Sequence, residues 1–194
     1  MTRRRPLAER CVAALLLLSV VAACADSASD GASDAGWMQA DSTFVAQMIP
    51  HHELGMTLID EATRRSGDVR LRHLVFEMHS YHMTDLELLE RWADELGLEA
   101  VTSFPGDLTT SEVDELGQYD GVSHDIVWLD LMIRHHSGAL EIADAEISGG
   151  GVDEAKAMAT ETRRVQSAEI DTMRELLEEL CGESKDDAVA DHCR

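Results

Sequence analysis

Aromatic side chains are scarce, at 4% Phe, Trp and Tyr, and the chain has only three prolines. Runs of β-branched and aromatic residues at alternating positions are missing, which argues against sheet. Few interior Gly or Pro breaks leave room for long helices. Basic residues are also in short supply, 16 Lys and Arg against 38 Asp and Glu, for a net charge of −22. Such a charge disfavours nucleic acid and anionic lipid surfaces as partners and suits the attraction of cations. No phosphate-binding glycine loop, CxxC redox motif or nucleophile–base constellation is present.

One long apolar run stands at the start. "MTRRRPLAERCVAALLLLSVVAAC" has a basic n-region, an apolar h-region around Leu15–Val21 and small residues before a cysteine. Residues 1–23 therefore read as an exported lipoprotein's signal peptide, too short to span a bilayer comfortably. Val21-Ala22-Ala23-Cys24 looks like a lipobox, so Cys24 is the expected lipidation site and membrane anchor, with ordinary cleavage near Ala23 as the other reading. Residues 24–40 read as a small, polar, flexible tether. Loss of four arginines and one glutamate with the leader takes the mature charge to about −25. Cys181 and Cys193 remain; an oxidising compartment favours a disulfide between them, and two free thiols acting as soft ligands is the other reading.

What remains is one domain, residues 41–182, followed by an acidic tail, 183–194. Apolar residues recur at helical spacing, which predicts an all-α protein. Four long helices are expected at about 41–65, 69–96, 123–148 and 153–181, with one short helix capped by Thr110 or Ser111 in the connection between the second and third. Placing residue n against n+84 keeps the halves in register without a gap: Asp41, Phe44, Met48, His51 and His52 fall on Asp125, Trp128, Met132, His135 and His136. Two helix hairpins, about 41–97 and 125–181, joined by one long crossover predict a four-helix bundle of ferritin-like connectivity. Pro50 lies inside the first helix, so a kink is expected before the histidines.

At 100° per residue, His52, His136 and His82 sit at the centres of their apolar stripes, with His51 and His135 at the edges. His52 and His136 each lie fourteen residues before a hairpin turn, and His82 and Gln166 each sixteen after one, so the four should share a layer. Met48, Asp85, Met132 and Glu169 make a second set expected to be nearly level. Met78, His79 and Met83 add donors around His82, and Met56 should lie level with Met78. His73 points to solvent, and His192 in the tail fits only an adventitious surface site.

Burying these imidazoles and carboxylates without partners would cost several kcal/mol. One reading is a polar layer that fixes register. The other, favoured by three histidines in one plane, is a metal site. Imidazole with thioether suits copper, as Cu(I) or Cu(II), before other divalent metals. A di-iron centre wants two Glu-x-x-His motifs and further glutamates, whereas His82-x-x-Asp85 and Gln166-x-x-Glu169 are reversed and too few. The expectation is a copper-sequestering or copper-handling protein rather than an enzyme, with a non-catalytic envelope structural protein as the alternative. A redox or hydrolytic metalloenzyme is the third and weakest reading.

The unit D-x-x-[FW]-[VL]-x-x-M-I-x-H-H, at Asp41–His52 and Asp125–His136, resembles the CopM-like family, domain of unknown function 305. So does [HQ]-x-x-[DE]-[LI]-x-x-[LM] at His82–Leu89 and Gln166–Met173. The resemblance covers about Asp41 to Leu180. It implies an exported or lipid-anchored protein with a ferritin-like four-helix fold, in a family some of whose members are implicated in periplasmic copper binding. It implicates Met48, His51, His52, Met132, His135 and His136 in metal binding. The chain departs from the pattern at His82, where Gln is usual, and at His124, which replaces an aromatic residue before Asp125.

Overall fold

The structure, a computed structural model, describes residues 36–99 and 101–194. The expected signal peptide, Cys24 and the tether up to residue 35 lie outside the described residues. Among those described there are five α-helices, a closing 3₁₀ helix and no strand: α1 (Gln39–Arg65), α2 (Val69–Leu96), α3 (Thr110–Leu116), α4 (Gly121–Gly149), α5 (Asp153–Glu183), then Asp187–Cys193. The protein is all-α, with α1, α2, α4 and α5 forming a bundle. Among the described residues no helix is long and apolar enough to cross a membrane.

Local chemistry sets the helix ends. Asp68 accepts the Arg70 N–H at 2.8 Å and caps α2, and Thr109 with Glu112 forms a capping box that starts α3. Helix α1 runs unbroken through Pro50. The acidic tail is tied to the bundle: Cys193 is disulfide-bonded to Cys181, and Val189 is buried in the core.

Helix α1 packs on α2, α4 on α5 and α1 on α4, whereas α2 and α5 barely meet. Two contacts fix the direction of the α1–α4 pair. Trp128 donates its indole N–H to the Leu58 carbonyl at 2.7 Å, and His51 reaches the His135 carbonyl at 3.0 Å. Positions advancing along α1 thus meet positions receding along α4, an antiparallel pair with its hairpin turns at opposite ends. The repeat locks itself reciprocally. Asp41 accepts the N–H groups of Gly151 and Val152 in the second turn at 3.0 and 2.9 Å, while Asp125 accepts the Ser66 hydroxyl of the first turn at 3.1 Å.

This antiparallel pairing divides the apolar core. One cluster, around Leu58, Leu71, Met78, Trp128, Met132 and Met173, fills the end near the first turn; another, around Phe44, Met48, Leu89, Trp92 and Ala159, fills the end near the second. The histidines lie between them. The crossover runs from one cluster to the other, with Leu98 and Phe104 packed on the second and Leu108 and Leu116 on the first. At its middle Gly106, with φ +78°, lies against α4 so closely that a Cβ there would come within 2.5 Å of the His135 carbonyl oxygen. Gly138 gives from the α4 side: its own Cβ would fall 2.2 Å from the Gly106 nitrogen.

Candidate metal centre

Five imidazoles, those of His51, His52, His82, His135 and His136, are fully buried in the layer between the clusters. His51 and His135, equivalent positions of the repeat, stack with ring centroids 3.8 Å apart on the α1–α4 interface. His52 lies 4.8 Å from His82, and His82 lies 5.9 Å from His136, ring centroid to ring centroid. Gln166, also buried, sits one helix turn before Glu169. Asp85 and Glu169 end the layer: Asp85 Oδ2 is 3.7 Å from His52 Nε2, and Glu169 Oε2 is 2.9 Å from His136 Nε2.

Each ring's hydrogen bond decides what its other nitrogen can do. His51 donates Nε2–H to the His135 carbonyl at 3.0 Å, His82 donates Nδ1–H to the Met78 carbonyl at 3.0 Å, and His135 donates Nδ1–H to the Gly106 carbonyl at 3.1 Å. His136 points Nε2–H at Glu169. A carbonyl or carboxylate on one ring nitrogen fixes the tautomer and leaves a lone pair on the other. Among the described residues, those second nitrogens, His51 Nδ1, His82 Nε2, His135 Nε2 and His136 Nδ1, have no hydrogen-bond partner, nor has either nitrogen of His52. In a dry core such orphaned acceptors cost free energy.

Two of the free nitrogens converge. A Cβ placed on Gly55 would stand 3.0 Å from His82 Nε2 and 3.2 Å from His135 Nε2. Glycine at this point of α1 therefore keeps open the space that the two lone pairs border. No three His, Cys, Asp or Glu groups among the described residues stand ready around one point. Two nitrogens on one ion are at most about 4 Å apart, given bonds of about 2.0 Å. A ring must turn for a third donor to join. The donor set fits a soft or borderline cation that accepts few ligands, not a hard oxygen-seeking one.

Electrostatics keep these imidazoles in the ligating form. Burial, followed by repulsion from the neighbouring imidazoles, holds His51 and His82 well below the ordinary histidine range and His135 down to about 3. They are neutral at pH 7.

Residues 94–177 match the profile of DUF305, a domain of unknown function. That match covers less than half of the chain, from the end of α2 through most of α5. The Streptomyces coelicolor DUF305 structure, of a protein described as secreted, is 26% identical, with a TM-score of 0.68 over 73% of this chain and 93% of that one. A DUF305 fragment from Deinococcus radiodurans is 22% identical, with a TM-score of 0.66 over 73% and 97%. CopM in its Cu(I)-bound form is 20% identical, with a TM-score of 0.64 over 72% and 96%. No curated protein matches the sequence.

In and around the layer the expected site residues divide. His51, His52, His82, His135, His136 and Asp85 come together. Met48 and Met132 do not form a level set: Met48 belongs to the cluster near the second turn and Met132 to the one near the first, so they lie on opposite sides of the imidazoles. The expectation of a common level is corrected because counting from the hairpin turns holds only at the bundle's middle when those turns lie at opposite ends. Met78 is buried in the first cluster, with Met56 packed against it. His79 and Met83 are exposed on the outer side of α2, outside the layer. His124 is buried away from the layer and donates Nδ1–H to Asp125 at 3.0 Å. His192 sits on Asp130 at 2.8 Å, and His73 is exposed beside Glu77. Gly55, Phe104 and Gly106 were not legible as site residues. Only the "HHELG" spacing, which sets Gly55 four residues after His51 on the same helix side, hinted at the first.

Proposed function

We propose that this protein works outside the cytoplasm, anchored through a lipid on Cys24, and sequesters or hands on copper through the imidazole layer. The observation that carries the reading is the set of unpartnered lone pairs on His51, His82, His135 and His136, two of them bordering the Gly55 gap. Imidazole favours copper among first-row metals, and the thioethers of Met48 and Met132 above and below the layer add donors suited to Cu(I). CopM, of similar fold, has been solved with Cu(I), Cu(II) and silver bound. The chain's −22 charge raises the local concentration of cations. Export fits the leader and the described secretion of the Streptomyces relative.

Titration of the metal-free protein with Cu(I) and Cu(II) under competition tests the reading. The native chain should bind Cu(I) far more tightly than His52→Ala/His136→Ala, and equal affinities would end it. A second reading, a layer that only sets register, is favoured by the three ring N–H groups already held by backbone carbonyls. It expects copper to leave the melting temperature unchanged. We assign no turnover to the layer. Activity of Cu-, Fe- or Zn-loaded protein that disappears in the double variant would reverse that assignment.

A further inference from the structure

The imidazole layer is sealed on one side and thin on the other. On the α1–α4 side the crossover covers it: Phe104 packs edge-on to His51 with ring centroids 5.6 Å apart, and the Gly106 backbone lies against His135. The opposite side is the seam between α2 and α5, where the helices barely meet. One hollow of about 490 Å³ lies beside it on α2, and one of about 360 Å³ opens between α2 and α5. Asp85 lines the first and Glu169 the second, and Tyr81 borders both.

These carboxylates connect the outside with the buried nitrogens. Asp85 and Glu169 keep 13% and 11% of their side-chain surface exposed, while the His52 and His136 rings behind them have none. Asp85 Oδ2 is itself buried with no hydrogen-bond partner among the described residues, and it faces the similarly unpartnered His52 Nε2 at 3.7 Å. The two carboxylates are equivalent positions of the repeat, so each hairpin supplies one. Arg164, which borders the second hollow, is already paired with Glu161 at 2.8 Å and does not cancel them.

We infer that the α2–α5 seam is the route by which the cation reaches and leaves the layer, with Asp85 and Glu169 receiving it from solvent and Tyr81 controlling the width of the passage. The inference rests on the copper reading above. It assigns a positioning role to Tyr81, which holds no metal. A carboxylate pair focuses the field at the mouth and passes the desolvating ion to an imidazole within contact distance.

The test is the rate at which the metal-free full chain takes up Cu(I), read apart from the equilibrium affinity. Tyr81→Ala should load and release several-fold faster and Tyr81→Trp slower, with affinity unchanged in both; Tyr81→Phe should behave as native. Asp85→Asn/Glu169→Gln should load on the order of tenfold slower and lose the native chain's sensitivity to ionic strength. Phe104→Ala, on the sealed side, should leave the rate as it is. Native rates in the Tyr81 and carboxamide variants, or acceleration in Phe104→Ala instead, overturn the route while leaving copper binding intact. Absence of Cu(I) binding by the native chain overturns the copper reading and the route with it.

Discussion

Gly55 is where one missing methyl group matters most. Its replacement by Ala would place a carbon 2.9 Å from His82 Cδ2 and against His135 Nε2. Overpacking a tight core costs about 1–3 kcal/mol, against about 1 kcal/mol gained from Ala in a helix. The net expectation for Gly55→Ala is a melting temperature lower by a few degrees and a loss of Cu(I) affinity larger than that loss of stability explains. Calorimetry and metal competition on the same variant check both. The histidines around it were legible in the sequence because helical periodicity places a side chain on a known face. Which nitrogen carries the proton was not, since that depends on carbonyls of Met78, Gly106 and His135, two of which belong to other elements.

Among the elements, the C-terminal segment is the one held by a covalent bond. Cys181 and Cys193 lie twelve positions apart, and the bond between them closes the 3₁₀ helix onto α4 and α5, burying Val189. For a loop of this size the constraint on the unfolded chain is about 3 kcal/mol in the entropy account. Reduction, or Cys181→Ser/Cys193→Ser, should lower the melting temperature by several degrees and leave copper stoichiometry unchanged; a lost copper equivalent would instead make the sulfurs ligands. The crossover is the second element whose path the sequence left open. Gly138→Ala drives a carbon into the Pro105 and Gly106 backbone at 2.2–2.3 Å. Backbone yields less readily than a side-chain tip, so Gly138→Ala should destabilise more than Gly55→Ala, and should increase hydrogen exchange at Gly106 and the segment around it. Nothing local marks that contact. Two glycines 32 positions apart mean little until a fold lays one on the other.

For the molecule as a whole, the buried ionisable groups set how stability follows pH. His51, His82 and His135 are held below the ordinary range of about 6.5, so the unfolded chain takes up protons before the folded one does. Their contribution is complete above that range and is lost as pH falls towards about 3, the value for His135. Glu146 acts in the opposite sense. Buried beside Asp41, it is pushed up to about 7 by burial and then by that neighbouring carboxyl. Its contribution is complete below the ordinary carboxyl range and is lost as pH rises through about 7. Three imidazoles outweigh one carboxyl where the windows overlap. The metal-free protein should therefore melt lower at pH 5 than at pH 7, and Glu146→Gln should steepen that fall while raising the melting temperature above pH 7. Thermal unfolding across pH checks both.

Helix type, the 84-residue repeat and the burial of the central histidines followed from the sequence, because each depends on spacing along a single helix or between identical halves. The tertiary structure alone decided that the hairpin turns lie at opposite ends and that Met48 and Met132 flank the layer. It also decided that the crossover seals His51 and His135, while the α2–α5 seam stays thin. Those features are set by how helices pair and where a loop runs across them. Such pairings join residues far apart in the chain, and no periodicity within one segment encodes them.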